Sequence, residues 1–387
     1  MKERVHVNDL TTLFICPSTE WRTLERKAIA DCLYLRDSGG NPILFCVKGS
    51  YVDREAEKRD LPRIYYTGQK LDRLFDLRYI RDMRKILKEN RFDIVHCYNL
   101  DFIWGLCFVL LSNPKVPLLL TFNHFLNYTQ KSLWQRWLFR RVDLIITFSQ
   151  TTKEIAQETL PVSLRKVKIA GGGIDVLPRP ERVEKLVKRL GAIVCGPDDY
   201  ERVKVVIYAL QALLPSTVDL GIKVEFSLFM EDEQTDTKEV LEKLVIGLGM
   251  SDVISFKPLL TEYSPFKEVD VFISTSFQEP FNDYEIMALL SHVPVIFPRT
   301  ASRQSILLQY KWVGESYYFE DARELKTKLL KLLINEQVYL NELQDSHQQI
   351  KDLHGIEAYA QRVSGFYERL YAKRLRYLRH KENLNLS

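Results

Sequence analysis

The chain lacks a long hydrophobic run. Its most apolar stretch, residues 102–111, is about half the roughly 20 residues that a membrane-spanning helix needs. Residues 1–9 are charged and polar, which is not the composition of a secretory signal peptide. We therefore expect a cytoplasmic protein without a membrane-spanning segment.

The sequence also lacks a Cys-x-x-Cys pair, although it contains six cysteines. Most of these cysteines lie inside apolar runs, which is typical of reduced core residues. No disulfide framework and no metal site are predicted.

A strong charge of either sign is absent as well. The formal net charge of +4 over 387 residues is too small to indicate a nucleic-acid partner. Nucleic-acid binding would need a continuous basic stripe with exposed aromatic residues, and only residues 130–141 hint at one. The hydrophobic share of 46% and the charged share of 27% are those of a globular protein.

The chain is long enough for two domains, and its pattern repeats accordingly. Short apolar segments alternate with amphipathic ones, which predicts parallel βαβ units. Residues 178–189 contain prolines and then charges, and they are predicted to form a linker that leads into a short helix. We expect an α/β protein with two facing Rossmann-like domains and a cleft between them. The predicted boundaries are residues 1–178, residues 179–360 and a terminal helix, 361–387, that crosses back to the first domain.

Residues 277–296 are the most informative part of the sequence. An apolar strand, Val271–Ser276, runs into an acidic elbow, a helix follows, and a second apolar run begins at Val293. This order places Glu279 at the carboxyl end of a strand, where open parallel sheets bind ligands. Asn282 and Glu285, three residues apart, predict a capping box at the start of the helix.

This stretch resembles the signature of the retaining glycosyltransferase family 4, in which a Glu-Pro-Phe-Gly elbow opens a helix. Other segments are similar to the family's motifs and follow in the same order, so the resemblance extends over residues 10–370. It implies a GT-B fold. These segments are Asp93–Cys97, Leu119–His124, Asp143–Ser149 and Gly173–Asp175.

The resemblance implies transfer of a sugar from a nucleoside-diphosphate donor, with retention of configuration and without a metal. Negative charge that grows on the departing diphosphate must then be met by cations and by helix N–H groups. We expect a retaining glycosyltransferase that moves a hexose to an envelope glycan or a lipid-linked acceptor. The nucleotide sugar is a co-substrate, and no further cofactor is expected.

The resemblance also implies roles for individual residues. Glu279 and His124 are the catalytic candidates, the first near the transferred sugar and the second in the donor pocket. On the acceptor side the candidates are Arg22 and Asn123. Each of these residues also has a plain structural or surface interpretation. The donor-binding candidates are Arg202, Lys204, Phe281, Asn282, Asp283, Arg299 and Arg303.

Three segments depart from the family's pattern. Met287 stands where the family has a second Glu, and a thioether offers only apolar contact to a ribose. Pro197 replaces an Arg that grips the diphosphate, and Arg22 and Thr23 occupy positions that are usually glycine. An alternative hypothesis is therefore a non-catalytic binding or scaffolding protein that has lost donor binding.

The segment Gln130–Arg141 contains four cations, no acidic residue and two tryptophans. Such a segment suits a membrane interface. A helix packed on the first domain explains Trp134 and Trp137 equally well. A lipid-linked acceptor would account for this segment and for the basic run Tyr367–Lys381, so peripheral contact with the inner face of the cell membrane stays open.

Overall fold

The computed structural model describes residues 10–66, 77–113, 115–124, 131–175, 187–194, 199–230, 235–277, 280–311 and 313–385. The chain divides into two compact units. The first comprises residues 1–171 with residues 359–387, and the second comprises residues 172–358. The domain boundary predicted at residue 178 falls in residues 176–186, outside the described residues.

The first unit contains a parallel sheet of seven strands in the order β3-β2-β1-β4-β5-β6-β7. The strands are β1 (Thr11–Ile15), β2 (Asn41–Val47), β3 (Arg63–Tyr66), β4 (Ile94–Cys97), β5 (Leu118–Thr121), β6 (Leu144–Thr147) and β7 (Val167–Ile169). The helices are α1 (Thr23–Asp37), α2 (Tyr51–Lys58), α3 (Leu77–Glu89), α4 (Leu100–Leu110), α5 (Leu133–Phe139) and α6 (Gln150–Thr159).

The second unit repeats this design with a parallel sheet of six strands in the order β10-β9-β8-β11-β12-β13. The strands are β8 (Val187–Val194), β9 (Lys223–Met230), β10 (Ile254–Pro258), β11 (Val271–Ile273), β12 (Val295–Pro298) and β13 (Gly314–Tyr317). The helices are α7 (Tyr200–Asp219), α8 (Thr235–Gly247), α9 (Ser264–Glu268), α10 (Asp283–Leu290), α11 (Ala301–Gln309), α12 (Ala322–Ile334) and α13 (Glu336–His354).

The last helix, α14 (Ile356–Asn385), covers one face of the first sheet. Two of its tyrosines reach buried polar groups there. Tyr359 donates to the Asp31 carboxylate over 2.8 Å, and the Tyr367 hydroxyl lies 2.7 Å from Nδ1 of His96. These side chains fix the helix in one position, because each buried polar group would lose its partner if the helix shifted.

The predicted fold class, an α/β protein with two Rossmann-like domains, is confirmed by the two parallel sheets. The linker predicted over residues 178–189, and the short helix expected after it, are wrong at this end, because β8 begins at Val187. Lys188 and Arg189 are charged, yet each is paired, with Glu336 and with Asp270 respectively. Because both charges are paired, this segment can form the start of β8, a central strand of the sheet.

Three aspartates set the register at the amino edges of the sheets. Asp93, Asp143 and Asp270 each precede a strand and accept a backbone N–H near the start of the neighbouring strand, over distances of 3.0, 3.1 and 2.9 Å. Two of them open sequence segments that resemble family motifs. Their role is structural, since the amino edge of a parallel sheet is opposite the edge where ligands bind.

Each sheet reverses its strand order once, between β1 and β4 in the first unit and between β8 and β11 in the second. The loops that follow these strands diverge and leave a crevice at the carboxyl edge. Both crevices are therefore candidate binding positions. Among the described residues, no helix is long and apolar enough to cross a membrane.

Strands β12 and β13 are so closely packed at Gly314 that even an added methyl group should destabilise the protein. A Cβ atom added at Gly314 would lie 1.8 Å from the Val295 carbonyl oxygen, so Gly314→Ala must displace the strand. We expect a loss of about 3 kcal/mol or more, measured as the urea midpoint of the full-length protein. Gly365→Ala in α14 is the control, because nothing lies near its added Cβ and a helical alanine stabilises. Equal midpoints for the two variants would contradict the observed strand pairing.

Candidate functional site

The elbow of the second unit lies at the crevice between β8 and β11. The chain leaves β11, passes through residues 274–277, and starts α10 after Asn282, whose side chain accepts the Tyr284 N–H over 2.9 Å. Asp283 is the first residue of that helix and is buried. Glu279, the predicted catalytic carboxylate, lies outside the described residues, so the structure defines the two flanks of its loop.

Aromatic contacts hold both flanks of the elbow. Phe277 packs on Phe319, which follows β13, with ring centroids 4.6 Å apart. Phe281 packs on the His354 ring at the end of α13, with centroids 5.2 Å apart. A Cβ atom at Gly172 would lie 3.0 Å from Phe281, so glycine at this position lets the Phe281 ring approach closely. The positions of residues 277 and 281 are thereby fixed within the second unit.

A buried ion pair supports the elbow from behind. Glu285 accepts from Nε of Arg303 over 2.7 Å and from the Ser274 hydroxyl over 2.6 Å. The two charged side chains are 1% and 0% exposed. The predicted capping box is therefore wrong, because the Glu285 carboxylate binds Arg303 and Ser274 instead of the backbone of Asn282.

The pair also affects the ionisation of its members. Burial raises the pKa of Glu285, and the Arg303 guanidinium and the Ser274 hydroxyl oppose this effect. Tyr317, at the end of β13, donates to the Ser274 carbonyl over 3.1 Å. Ser274, Glu285, Arg303 and Tyr317 together join β11, α10, α11 and β13 at the carboxyl edge of the sheet.

The other predicted donor-binding cations also have carboxylate partners. Arg202 pairs with Asp199 over 2.8 Å, and Lys204 pairs with Glu201 over 3.0 Å. Arg299 follows β12, pairs with Glu324 and lies over the Tyr318 ring at 4.0 Å. Arg202 lies in the first turn of α7, the helix that follows β8.

The position that replaces the family's second Glu is part of the core. Met287 is 4% exposed, and every residue of α10 is buried. A thioether in this position packs and offers no hydrogen bond to a ribose. Pro197, the other donor-side departure, lies outside the described residues.

In the first unit, the predicted residues occupy two different loops. Arg22 follows β1, precedes the first residue of α1 and pairs with Glu20 over 2.9 Å. Asn123 and His124 follow β5, and Asn123 is buried. Burial lowers the pKa of His124 to about 4, and its Nε2 has no hydrogen-bond partner among the described residues. His124 is therefore a neutral imidazole at pH 7 whose Nε2 is buried.

A buried polar network in the first unit was not predicted. His96 lies between Tyr367 and Thr121, each 2.7 Å from a ring nitrogen, and burial lowers its pKa to about 3. Tyr98 donates to Asp31 over 2.5 Å. One feature of the sequence could have revealed this network, because Asp31 lies on the apolar side of α1 and a buried carboxylate needs hydrogen-bond donors. His96 thus has a structural role.

No group of three or more His, Cys, Asp and Glu side chains that could hold a metal occurs in the described part of the chain. The geometry that can bind a ligand in the second unit is the elbow at the start of α10, and Arg202 and Arg299 follow the two strands that flank β11, namely β8 and β12. A helix start of this kind attracts anions, because its first N–H groups point outwards.

The sequence model of Glycosyltransferase Family 4 matches residues 32–176. The resemblance to glycosyltransferase family 4 is confirmed. The matched residues belong mainly to the first unit, and the elbow lies outside them. No curated protein sequence matches the chain.

Solved structures share the fold over nearly the whole chain. A glycosyltransferase from Rickettsia africae ESF-5 has 15% identity and a TM-score of 0.74, covering 94% of this chain and 99% of its own. Alr3699/HepE from Anabaena, in complex with UDP-glucose, has 15% identity and a TM-score of 0.71 over 92% and 99%. Sucrose-phosphate synthase from Thermosynechococcus elongatus has 14% identity and a TM-score of 0.70 over 94% and 100%. At these identities the similarity establishes the fold, that of the two-domain GT-B glycosyltransferases.

The buried ion pair gives a prediction about stability. Arg303→Met leaves the Glu285 carboxylate buried without its counter-charge, and we expect a loss of about 3–5 kcal/mol. The double variant Glu285→Leu with Arg303→Met should recover most of that loss, because no charge remains buried. Urea denaturation of the three proteins measures the difference.

Lys238→Met is the matched control, since it breaks a half-exposed ion pair with Glu242 on α8. Surface pairs contribute little, so its midpoint should equal that of the wild type. An Arg303→Met variant as stable as the wild type would show that the buried pair does not support the elbow.

Proposed function

We propose that this protein is a retaining glycosyltransferase that moves a hexose from a nucleoside-diphosphate sugar to an envelope glycan or a lipid-linked acceptor. The match to family 4 and the GT-B fold support a transferase. The observation that carries the proposal is the elbow, residues 277–283. It lies at the strand-order reversal of the second sheet, is held at both flanks, and ends at the start of a helix.

The chemistry assigns different tasks to the elbow and its neighbours. Departure of the diphosphate builds negative charge, and the first N–H groups of α10 and the guanidinium of Arg202 would meet it. Glu279 would contact the hydroxyls of the transferred sugar. Arg303 would act indirectly, because it is fully buried in its pair with Glu285. His124 is the second catalytic candidate, and it would act as a neutral imidazole because burial lowers its pKa to about 4.

UDP is the first candidate for the nucleotide. The Anabaena protein was solved in complex with UDP-glucose, and the pneumococcal O-GlcNAc transferase GtfA was solved in complex with UDP and GlcNAc. The second of these has 11% identity and a TM-score of 0.70. We extend this donor to the present chain on the basis of the shared fold.

One observation favours the alternative, a non-catalytic binding or scaffolding protein. All four cations predicted to hold the diphosphate are already paired with carboxylates, and Met287 is buried. A phosphate must compete with Asp199 for Arg202, which weakens its binding. The two functions differ in nucleotide affinity and can therefore be separated by titration.

Calorimetric titration of the full-length protein with UDP, GDP and ADP tests the proposal. We expect one nucleotide, UDP, to bind with micromolar affinity. Arg202→Ala should weaken this binding by about tenfold or more, since a charge-assisted hydrogen bond is lost. Glu279→Ala should keep the UDP affinity and abolish sugar transfer, because it contacts the sugar.

Arg323→Ala is the matched control, since Arg323 is an exposed cation in the first turn of α12. Its UDP affinity should equal that of the wild type. If none of the three nucleotides binds, the transferase proposal fails and the non-catalytic alternative replaces it. Once a donor is known, nuclear magnetic resonance of the product's anomeric proton tests retention.

A further inference from the structure

Helix α5 exposes an apolar face. Leu133, Trp134 and Trp137 are 86%, 52% and 44% exposed. Its inner side consists of Leu138 and Phe139, which are buried, and Phe139 packs on Trp104 with ring centroids 5.0 Å apart. Packing against the first unit thus accounts for the apolar residues on the inner side of the helix. It does not account for the exposure of the two tryptophans on the outer side.

The two tryptophans form one apolar surface. Their rings stack on each other, with centroids 4.9 Å apart and an interplanar angle of 28°. Together with Leu133 they expose on the order of 400 Å² of mostly apolar area. Contiguous exposed patches of this kind mark sites of interaction with a partner or a membrane.

The border of this patch is positively charged. Arg136 and Arg140 are exposed, and neither is paired with a carboxylate among the described residues. Lys166 lies next to Arg140, and its Nζ donates to the Arg140 carbonyl oxygen over 3.1 Å. Arg141 differs, because its guanidinium is held by Asp143 and by the Leu110 carbonyl. No acidic residue occurs between residues 130 and 141.

We propose that α5, residues 133–139 with Arg140, docks the protein onto an anionic lipid bilayer. Tryptophan rings prefer the level of the lipid headgroups, and arginines beside them are attracted to anionic lipids. A second copy of the chain is a poorer partner. A stable protein interface covers roughly 800 Å² on each side, about twice this patch, and two positive borders would repel.

The inference does not depend on sugar transfer, since it concerns a surface of the first unit. It adds to the proposed function a reason for the protein to meet a lipid-linked acceptor. Failure of lipid binding would leave the nucleotide titration unaffected, and failure of nucleotide binding would leave lipid binding unaffected.

Sedimentation of the full-length protein with vesicles tests the proposal. We expect binding to vesicles of phosphatidylcholine mixed with phosphatidylglycerol and little binding to phosphatidylcholine alone. Arg136→Gln with Arg140→Gln should weaken the binding about fivefold for each charge removed. Trp134→Ser with Trp137→Ser should abolish it, together with the blue shift of tryptophan fluorescence that accompanies insertion.

Leu308→Ser with Arg323→Gln is the matched control, because both side chains are exposed on helices of the second unit. This variant should bind vesicles as the wild type does. Circular dichroism melting verifies that all variants are folded. The proposal is overturned if the wild type does not bind the anionic vesicles. It is also overturned if both α5 variants bind them as strongly as the wild type does. A third contradicting result is a wild type that is a dimer and a tryptophan variant that is a monomer, with equal vesicle binding by the two proteins.

Discussion

A carboxylate and a guanidinium that are both removed from water meet behind the elbow of the second unit. Burying each ion alone would cost several kcal/mol, so Glu285 and Arg303 are stable only in contact with each other and with Ser274. The pair connects the end of β11, the first turn of α10 and the first turn of α11. The elbow begins and ends on these elements, and its geometry therefore depends on this one interaction.

The same pair changes how the cations around the elbow are interpreted. From the sequence, Arg303 was a candidate for direct diphosphate contact, and its complete burial makes it a support for the elbow instead. Arg202 and Arg299 are partly exposed in their ion pairs, so an incoming phosphate can displace a carboxylate there more easily. The proposed binding of an anion at the elbow would then be a competition between the ligand and the protein's own carboxylates.

Much of the fold was predictable because parallel sheets have a local signature, the alternation of short apolar strands with amphipathic helices. The N-cap at Asn282 was predictable for the same reason, since capping depends on neighbouring residues. The Glu285–Arg303 pair was not, because the two residues are 18 positions apart and only tertiary packing brings them together. In α5, seven residues are too few for periodicity to show which side the tryptophans face.

We propose that a nucleoside diphosphate binds at the elbow of the second unit. Hydrogen exchange with and without UDP, followed by mass spectrometry of the full-length protein, tests this claim most directly. We predict slower exchange in peptides that cover residues 199–204, 274–290 and 299–303, with no change in β9 and β10. Protection in other segments, or none at saturating UDP, would contradict it.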